Sequence, residues 1–161
     1  MKTKIAILLF AISLLQVKLF AQKIAADKVP SAVAGAVKAK FPAATDVKWE
    51  MEKKNVYEAV FKLNGNNVSA NFDSAGKWME TETEIKVSDL PAPVNATLKK
   101  DFTAYKVAEA SRIESVKHGN CFEAEIEKGK ETIDVLFSAD GKVLSKSKEK
   151  EEKGEKEKEK D

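Results

Sequence analysis

The sequence predicts an α+β protein in which a helix followed by a four-stranded antiparallel meander occurs twice. The stretch VYEAVFKLNGNNVSANFDSAGKW (residues 56–78) has the same pattern as the later stretch CFEAEIEKGKETIDVLFSADGKV (residues 121–143). Both stretches alternate apolar and polar residues, which is the period of half-buried strands. Both follow apolar residues at the i, i+4, i+8 spacing of a helix. One unit of about 60 residues buries little surface, so we expect a joint eight-stranded sheet, with both helices on one face and the other face open.

Residues 1–21 have the features of an export signal. Lys2 and Lys4 precede the apolar run of residues 5–15, and Ala21 provides a small residue at a cleavage site. The run is short for a membrane-spanning helix, although an uncleaved membrane anchor is the alternative. We therefore expect a signal peptide at residues 1–21 and a periplasmic or secreted protein that has no membrane association after cleavage.

The charge balance of the exported chain argues against nucleic acid as a partner. Loss of the leader removes three lysines and no acidic residue, which leaves 25 basic residues against 26 acidic ones. Proteins that bind nucleic acids need a basic excess to neutralise phosphates. We predict no nucleic-acid binding, and we expect a monomer.

The first unit, residues 22–85, begins with a helix whose apolar stripe is Val33, Val37 and Phe41. Ser31 is the predicted N-cap, and Pro42 ends the helix. The predicted strands span residues 47–52, 57–63, 68–72 and 77–85. Asn-Gly at residues 64–65 predicts a tight hairpin between the second and third of them.

The second unit, residues 86–145, repeats this order. Val94, Leu98 and Phe102 repeat the helix stripe at a constant sequence offset, and the later strands repeat at a slightly larger one. We expect its first strand near residues 110–116. Residues 146–161 are rich in Lys and Glu and contain no apolar residue, so this tail is predicted to be disordered.

The pattern of Trp49, YEAVF (residues 57–61) and VSANFDSAGKW (residues 68–78) resembles PepSY-like, beta-lactamase-inhibitor-protein-like domains of exported bacterial proteins. The resemblance covers both units. It implies a repeated helix and antiparallel sheet, and protein binding or inhibition instead of catalysis. The inhibitor that gives the family its name binds its enzyme with the open face of its sheet. No inhibitory contact residue carries over, because none forms a recognisable motif in this sequence.

No catalytic, metal or cofactor signature occurs in the sequence. The single histidine and the single cysteine, His118 and Cys121, lie in HGNC, which is typical of a turn before a strand. We expect Cys121 to be a small apolar strand residue. Two such residues are too few for a zinc site, and neither a calcium loop nor a phosphate-binding loop is present. We therefore predict a protein that is not an enzyme and has no cofactor and no metal.

The open face of the sheet supplies the candidate partner-binding residues. Alternation places the neighbours of the core residues on that face. The candidates are Glu58, Val60 and Lys62 in the first unit and Glu123, Glu125, Glu127 and Asp134 in the second. The acidic second unit suggests a docking surface for a cationic partner, and an ordinary solvated face is the alternative. Trp78 is added as a half-exposed anchor, with a core position as its alternative.

We interpret the chain as an exported, non-catalytic module that binds an unidentified protein or peptide and that could inhibit an envelope enzyme. The alternative function is that of a structural or stress-related envelope protein, which contacts polymers or cations through its charged tail and its acidic face.

Overall fold

The computed structural model describes residues 22–148, which form one nine-stranded antiparallel sheet with two α-helices and two short 3-10 helices. The strands lie side by side in chain order. They are β1 (Gln22–Ile24), β2 (Thr45–Lys53), β3 (Val56–Leu63), β4 (Asn66–Asp73), β5 (Trp78–Ile85), β6 (Lys106–Ser115), β7 (Gly119–Lys128), β8 (Glu131–Ser138) and β9 (Val143–Lys148). The helices are α1 (Ser31–Lys40) and α2 (Ala92–Asp101). The α+β class and the single sheet are confirmed.

The sheet has nine strands instead of the expected eight, because a short strand precedes the first helix. In β1, Ile24 lies opposite Trp49 of β2. In β5, Ile85 lies opposite Ala110 of β6. Ile85 follows Ile24, and Ala110 follows Trp49, by the same number of residues that separates the two helix stripes. Strand β5 therefore ends the first meander and also occupies, in the second unit, the position that β1 has in the first.

Both helices pack on the same face of the sheet, and each covers its own core. The core of the first unit contains Val33, Val37, Phe41, Ala59, Phe61, Val68, Ala70 and Phe72. The core of the second unit contains Val94, Leu98, Phe102, Ala110, Ala124, Ile126, Val135 and Phe137. The apolar stripes and strand positions predicted from the sequence make up most of both cores. Within residues 22–148, no helix covers the opposite face of the sheet.

Helix α1 begins one residue earlier than the sequence indicates, because proline provides the extended residue before the first turn. The N-cap of α1 is Pro30, with φ −54° and ψ 136°, and Ser31 is the first helical residue. The N-cap of α2 is Pro91, which has the same conformation. The prediction of Ser31 as N-cap was wrong. The fixed φ of proline suits this position, and proline has no N–H group to leave unpaired.

Two glycine turns fix the helices to the sheet. Gly76 (φ 79°) follows β4, and a Cβ atom there would lie 2.5 Å from the carbonyl oxygen of Ala32 in α1. Gly141 (φ 83°) follows β8, and a Cβ atom there would lie 2.5 Å from the carbonyl oxygen of Pro93 in α2. The absence of a side chain thus allows each turn to contact the first turn of its helix.

Several predicted boundaries differ from the structure. Strand β6 begins at Lys106, earlier than the predicted start near residue 110. The early start was missed because a bulge near residue 108 interrupts the alternation that marks a strand. The turn before β7 spans residues 116–118, so Asn120 belongs to the strand. Residues 146–148 lie in β9 and not in the tail, since they pair with β8. The expected signal peptide and residues 149–161 of the tail lie outside the described residues. Within residues 22–148, no helix is long and apolar enough to cross a membrane.

Candidate functional site

Strand register assigns every strand residue near the centre of the sheet to one of its two faces. Val68, Thr83, Arg112, Phe122 and Phe137 form one cross-strand row on the helix side. The adjacent positions point to the opposite side, which we call the open face. Glu58, Val60, Lys62, Glu123, Glu125, Glu127 and Asp134 all lie on the open face. The structure thus brings seven of the eight predicted site residues to one surface.

Trp78 is the exception, because it lies on the helix side. In a regular strand Trp78 and Glu80 would point to the same face, but a bulge in β5 places Trp78 opposite Phe72 while Glu80 lies opposite Asn71. The indole Nε1 donates a hydrogen bond to Thr81 Oγ1 at 2.8 Å. The ammonium group of Lys40 lies 4.1 Å from the centre of the indole ring. Trp78 is therefore a half-buried part of the first core and not an anchor on the open face.

Acidic side chains line a shallow depression at the junction of the two units on the open face. The depression has a volume of about 260 Å³. It is lined by Glu82, Glu109, Ala110, Ser111, Glu123, Glu125 and Asp134. Glu109, Glu125 and Asp134 form one cross-strand row, in which carboxylates lie directly opposite one another. Directly opposed like charges repel each other across a sheet. Asp134 also accepts a hydrogen bond of 3.2 Å from Ser147 Oγ.

A second row of oxygen atoms crosses the first unit. Glu50, Glu58, Asn71 and Glu80 are successive partners across β2 to β5. The side-chain oxygen Oδ1 of Asn71 is buried, and no described residue donates a hydrogen bond to it. Lys62 is the nearby basic candidate, and its ammonium group donates to Asn67, which in turn donates to Glu84. The open face therefore offers mainly hydrogen-bond acceptors.

Burial and mutual repulsion act on the carboxylates of this face. Burial is the largest cause that raises the pKa of Glu58, Glu80 and Glu82 above the ordinary value. Nearby carboxylates raise these pKa values further, whereas hydrogen bonds with Ser69 and Ser111 lower those of Glu58 and Glu82. A positive group that docked here would remove part of this repulsion.

Cys121 has the expected buried position, and it lies on the open side of the sheet. Its side chain is fully buried, opposite Ile113. Burial raises the pKa of the Cys121 thiol, and the charges of Glu80 and Glu123 raise it further. The reactive form of cysteine is the thiolate, so this environment disfavours nucleophilic chemistry. Among residues 22–148, no group of three His, Cys, Asp or Glu side chains is arranged to hold a metal ion.

Further carboxylates of the open face were not among the predicted site residues, and they include Glu50, Glu80, Glu82, Glu84 and Glu109. Glu80 and Glu82 share a sequence parity with Trp78, and the bulge in β5 separates their faces. Glu109 precedes the residues at which the first strand of the second unit was expected, and the bulge in β6 hides its alternation. The offset between the helix stripes also relates Glu109 to Lys48, which lies in a clearly predicted strand. Applying this offset to the strands could have identified Glu109 as a strand residue of the open face.

The sequence matches the family model described as "Putative beta-lactamase-inhibitor-like, PepSY-like" over residues 15–65 and 55–145. None of the curated proteins that were compared with the chain is similar to it.

Solved structures give the same picture of the fold. A BLIP-like protein from Bacteroides fragilis is 28% identical, with a TM-score of 0.62 over 73% of this chain and 84% of that one. A DUF2874 family protein from Bacteroides uniformis is 22% identical, with a TM-score of 0.66 over 74% of this chain and 88% of that one. A structure from Bacteroides eggerthii, described as "putative periplasmic proteins", is 23% identical, with a TM-score of 0.67 over the same shares.

Proposed function

Because this chain belongs to the beta-lactamase-inhibitor-like, PepSY-like family, we propose that it is an exported, non-catalytic module that binds a protein or peptide through its open face. The observation that carries the proposal is the acidic depression, with its row of opposed carboxylates. A sheet face that served only as solvated surface would gain stability from mixed charges. The retained like charges favour a surface that meets a partner of opposite charge.

A Lys- or Arg-rich segment has the matching chemistry. Lysine and arginine side chains carry only hydrogen-bond donors, and the open face presents mainly acceptors. The charges would also speed the encounter, since opposite fields steer association. A periplasmic location is supported by the description of the similar structure from B. eggerthii and by the expected leader. Inhibition of an envelope enzyme is one form that such binding could take, in keeping with the family description.

The test compares proteins captured from periplasmic extract by the wild-type chain and by two triple variants. In the first variant, Glu123, Glu125 and Asp134 are all changed to Lys. The matched control carries the same charge change at exposed acidic residues on the helix side. These are Asp27, Asp89 and Asp101. We expect one stoichiometric partner that binds the wild type and the control but not the first variant.

Two outcomes would contradict the proposal. A partner that binds all three proteins equally would place the contact elsewhere. General binding that disappears with added salt would favour the alternative function, in which charged surfaces of an envelope protein contact polymers or cations.

A further inference from the structure

Asn71 lies on the open face of the first unit, and its side-chain oxygen lacks a hydrogen-bond donor. The residue is directly opposite Glu58 on β3 and Glu80 on β5. Its oxygen atom Oδ1 is buried, and none of residues 22–148 donates a hydrogen bond to it. An unpaired buried acceptor is destabilising, so a donor at this position would stabilise the fold.

The two neighbours of Asn71 can supply this donor only in their protonated form. A carboxylate has acceptor oxygens alone, whereas a protonated carboxyl group has one O–H donor. Directly opposed side chains on adjacent strands have Cβ atoms about 5 Å apart, so both carboxyl groups are within reach of Asn71. One proton on Glu58 or on Glu80 would therefore pair the orphaned oxygen.

Hydrogen bonding distinguishes the two neighbours from each other. Glu58 has a hydrogen bond with Ser69 that favours its ionised form and opposes the rise in its pKa. No residue among 22–148 forms such a bond with Glu80. Ser115 lies opposite Glu80 on β6, and its Oγ accepts a hydrogen bond of 3.0 Å from the backbone N–H of His118. Glu80 is therefore the carboxyl group that gains more from a proton.

The surroundings of Glu80 also favour its neutral form. Burial is the largest cause that raises its pKa. The charged groups that act on it are Glu82, Glu52, Glu58 and Lys117. The three carboxylates raise the pKa of Glu80 further, and the ammonium group in the turn after β6 lowers it. The titratable group on β7 is the buried thiol of Cys121, whose own pKa is raised by burial and then by the charge of Glu80.

The second unit does not repeat this arrangement. At the sequence offset of the later strands, the counterpart of Asn71 is Leu136 and that of Glu80 is Ser145. The counterpart of Glu58 is Glu123, so the carboxylate with the hydroxyl partner is retained. Asn71 and Glu80 thus occur together in the first unit alone. They are not part of the scaffold that the two units share.

We propose that Glu80 keeps its proton in a pH range in which exposed carboxylates are ionised, and that its O–H group donates a hydrogen bond to Asn71 Oδ1. The pair is a proton-binding site on the open face. Its neutral state pairs the buried acceptor, and its charged state adds one negative charge to the face. For the function proposed above, on which this consequence rests, acidification would weaken the attraction for a cationic partner.

The experiment is an NMR titration of the free exported chain, labelled with ¹³C and ¹⁵N, from about pH 3 to about pH 9. Because no partner is added, the result does not depend on the proposed function. We expect the carboxyl carbon of Glu80 to titrate with a pKa above the range that is usual for glutamate. The side-chain amide signals of Asn71 should shift with the same midpoint, because its oxygen loses the O–H donor when Glu80 ionises.

Two variants identify the carboxyl group that holds the proton. In Glu80→Gln, a permanent N–H donor replaces the O–H group, so the amide signals of Asn71 should no longer change with pH in this interval. Glu58→Gln removes the same charge on the other side of Asn71 and is the matched control. There the shared titration of Glu80 and Asn71 should remain, with a lower midpoint, because one charge that repels the Glu80 carboxylate is absent.

The proposal is wrong if Glu80 titrates within the range that is usual for glutamate, since the NH₂ group of Asn71 and not its oxygen would then face a carboxylate. It is also wrong if Glu58→Gln abolishes the titration of the Asn71 amide and Glu80→Gln does not. Different midpoints for Glu80 and Asn71 would contradict the shared hydrogen bond.

Discussion

At the scale of single residues, two glycines carry more structural information than their small size suggests. Gly76 and Gly141 are the counterparts of each other, and each allows a turn to contact the carbonyl oxygen of a residue in the first turn of a helix. Gly65 also has a positive φ, of 85°, but no atom beyond its chain neighbours lies within 4 Å of the position of a Cβ there. A side chain at Gly65 would therefore meet backbone strain alone, whereas one at Gly76 or Gly141 would meet both strain and a steric clash.

We predict that Gly76→Ala and Gly141→Ala each lower the free energy of unfolding by about 3 kcal/mol or more, because strain and overlap with a carbonyl oxygen add together. The control Gly65→Ala should cost only about 1–2 kcal/mol, which is the strain alone. Urea denaturation measures the free energy of unfolding of each variant. Equal losses in all three variants would show that the contact with the helices contributes little.

Residue patterns predicted the cores well and the faces near bulges poorly. Phe61 and Phe137 were identified because strict alternation continues on either side of them. Trp78 was placed among the site candidates and Glu109 was missed, because a bulge adds one residue and reverses the faces beyond it. A bulge depends on pairing with the neighbouring strand, so alternation in a single strand does not reveal it.

At the scale of elements, β5 joins the two units and also carries two half-buried carboxylates, Glu80 and Glu82. Glu80, Glu82 and Glu84 lie on its open side, and β4 and β6 flank it. Burial and neighbouring carboxylates raise the pKa of Glu82, although the hydroxyl of Ser111 lowers it in part. The ionised form of this side chain is therefore less stable in the folded protein than in the unfolded chain.

This difference predicts how stability changes with pH. Between the ordinary pKa and the raised one, the folded state binds more protons at Glu82 than the unfolded chain does. The contribution of Glu82 to the free energy of unfolding therefore falls as the pH rises through this interval. Glu82→Gln removes the ionisable group, so we expect greater stability than the wild type at about pH 7 and a smaller difference at about pH 4.

Urea denaturation at both pH values measures the effect of Glu82→Gln. Glu127→Gln, at an exposed position of the same face, is the control and should change stability by about 0.5 kcal/mol or less. A variant Glu82→Gln that was less stable than the wild type at about pH 7 would contradict the role given to burial.

Sequence offsets revealed the elements of the repeat but not the way in which the units meet. Periodicity and turn residues predicted the helix and the four-stranded meander of each unit, with β6 expected to begin later than it does. The short strand β1, Gln22–Ile24, is too short for a periodic signal. The pairing of β1 with β2 is recognised as part of the repeat only by comparison with the pairing of β5 with β6. Both pairings join segments that are distant in the sequence.

At the scale of the whole molecule, the two units are joined by a strand that belongs to both. The second core includes residues on β6 to β8, and partly buried Ile85 of β5 packs against it. Removal of β5 would expose the edge of β6 and one side of that core. The two units should therefore unfold in one transition.

Fragments of the chain test this dependence. We predict that residues 78–148, which keep β5, fold cooperatively, whereas residues 86–148 do not. A domain of this size has a net stability of only about 5 kcal/mol, and the loss of a neighbouring strand removes much of it. Circular dichroism during thermal unfolding distinguishes the two outcomes. Equal stability of the two fragments would mean that β5 belongs to the first unit alone.

The shared strand also has a consequence for how long such a sheet can become. Strand β9 occupies, after the second unit, the place that β5 has after the first, so a third unit could in principle add to its outer edge. Lys146 and Lys148 stand on β9 where β5 has Thr81 and Thr83, on the side that a further helix would cover. Charged residues that point inward on an edge strand oppose further pairing. A further strand that paired with β9 would have to bury these two charges, so both lysines oppose extension of the sheet at this edge.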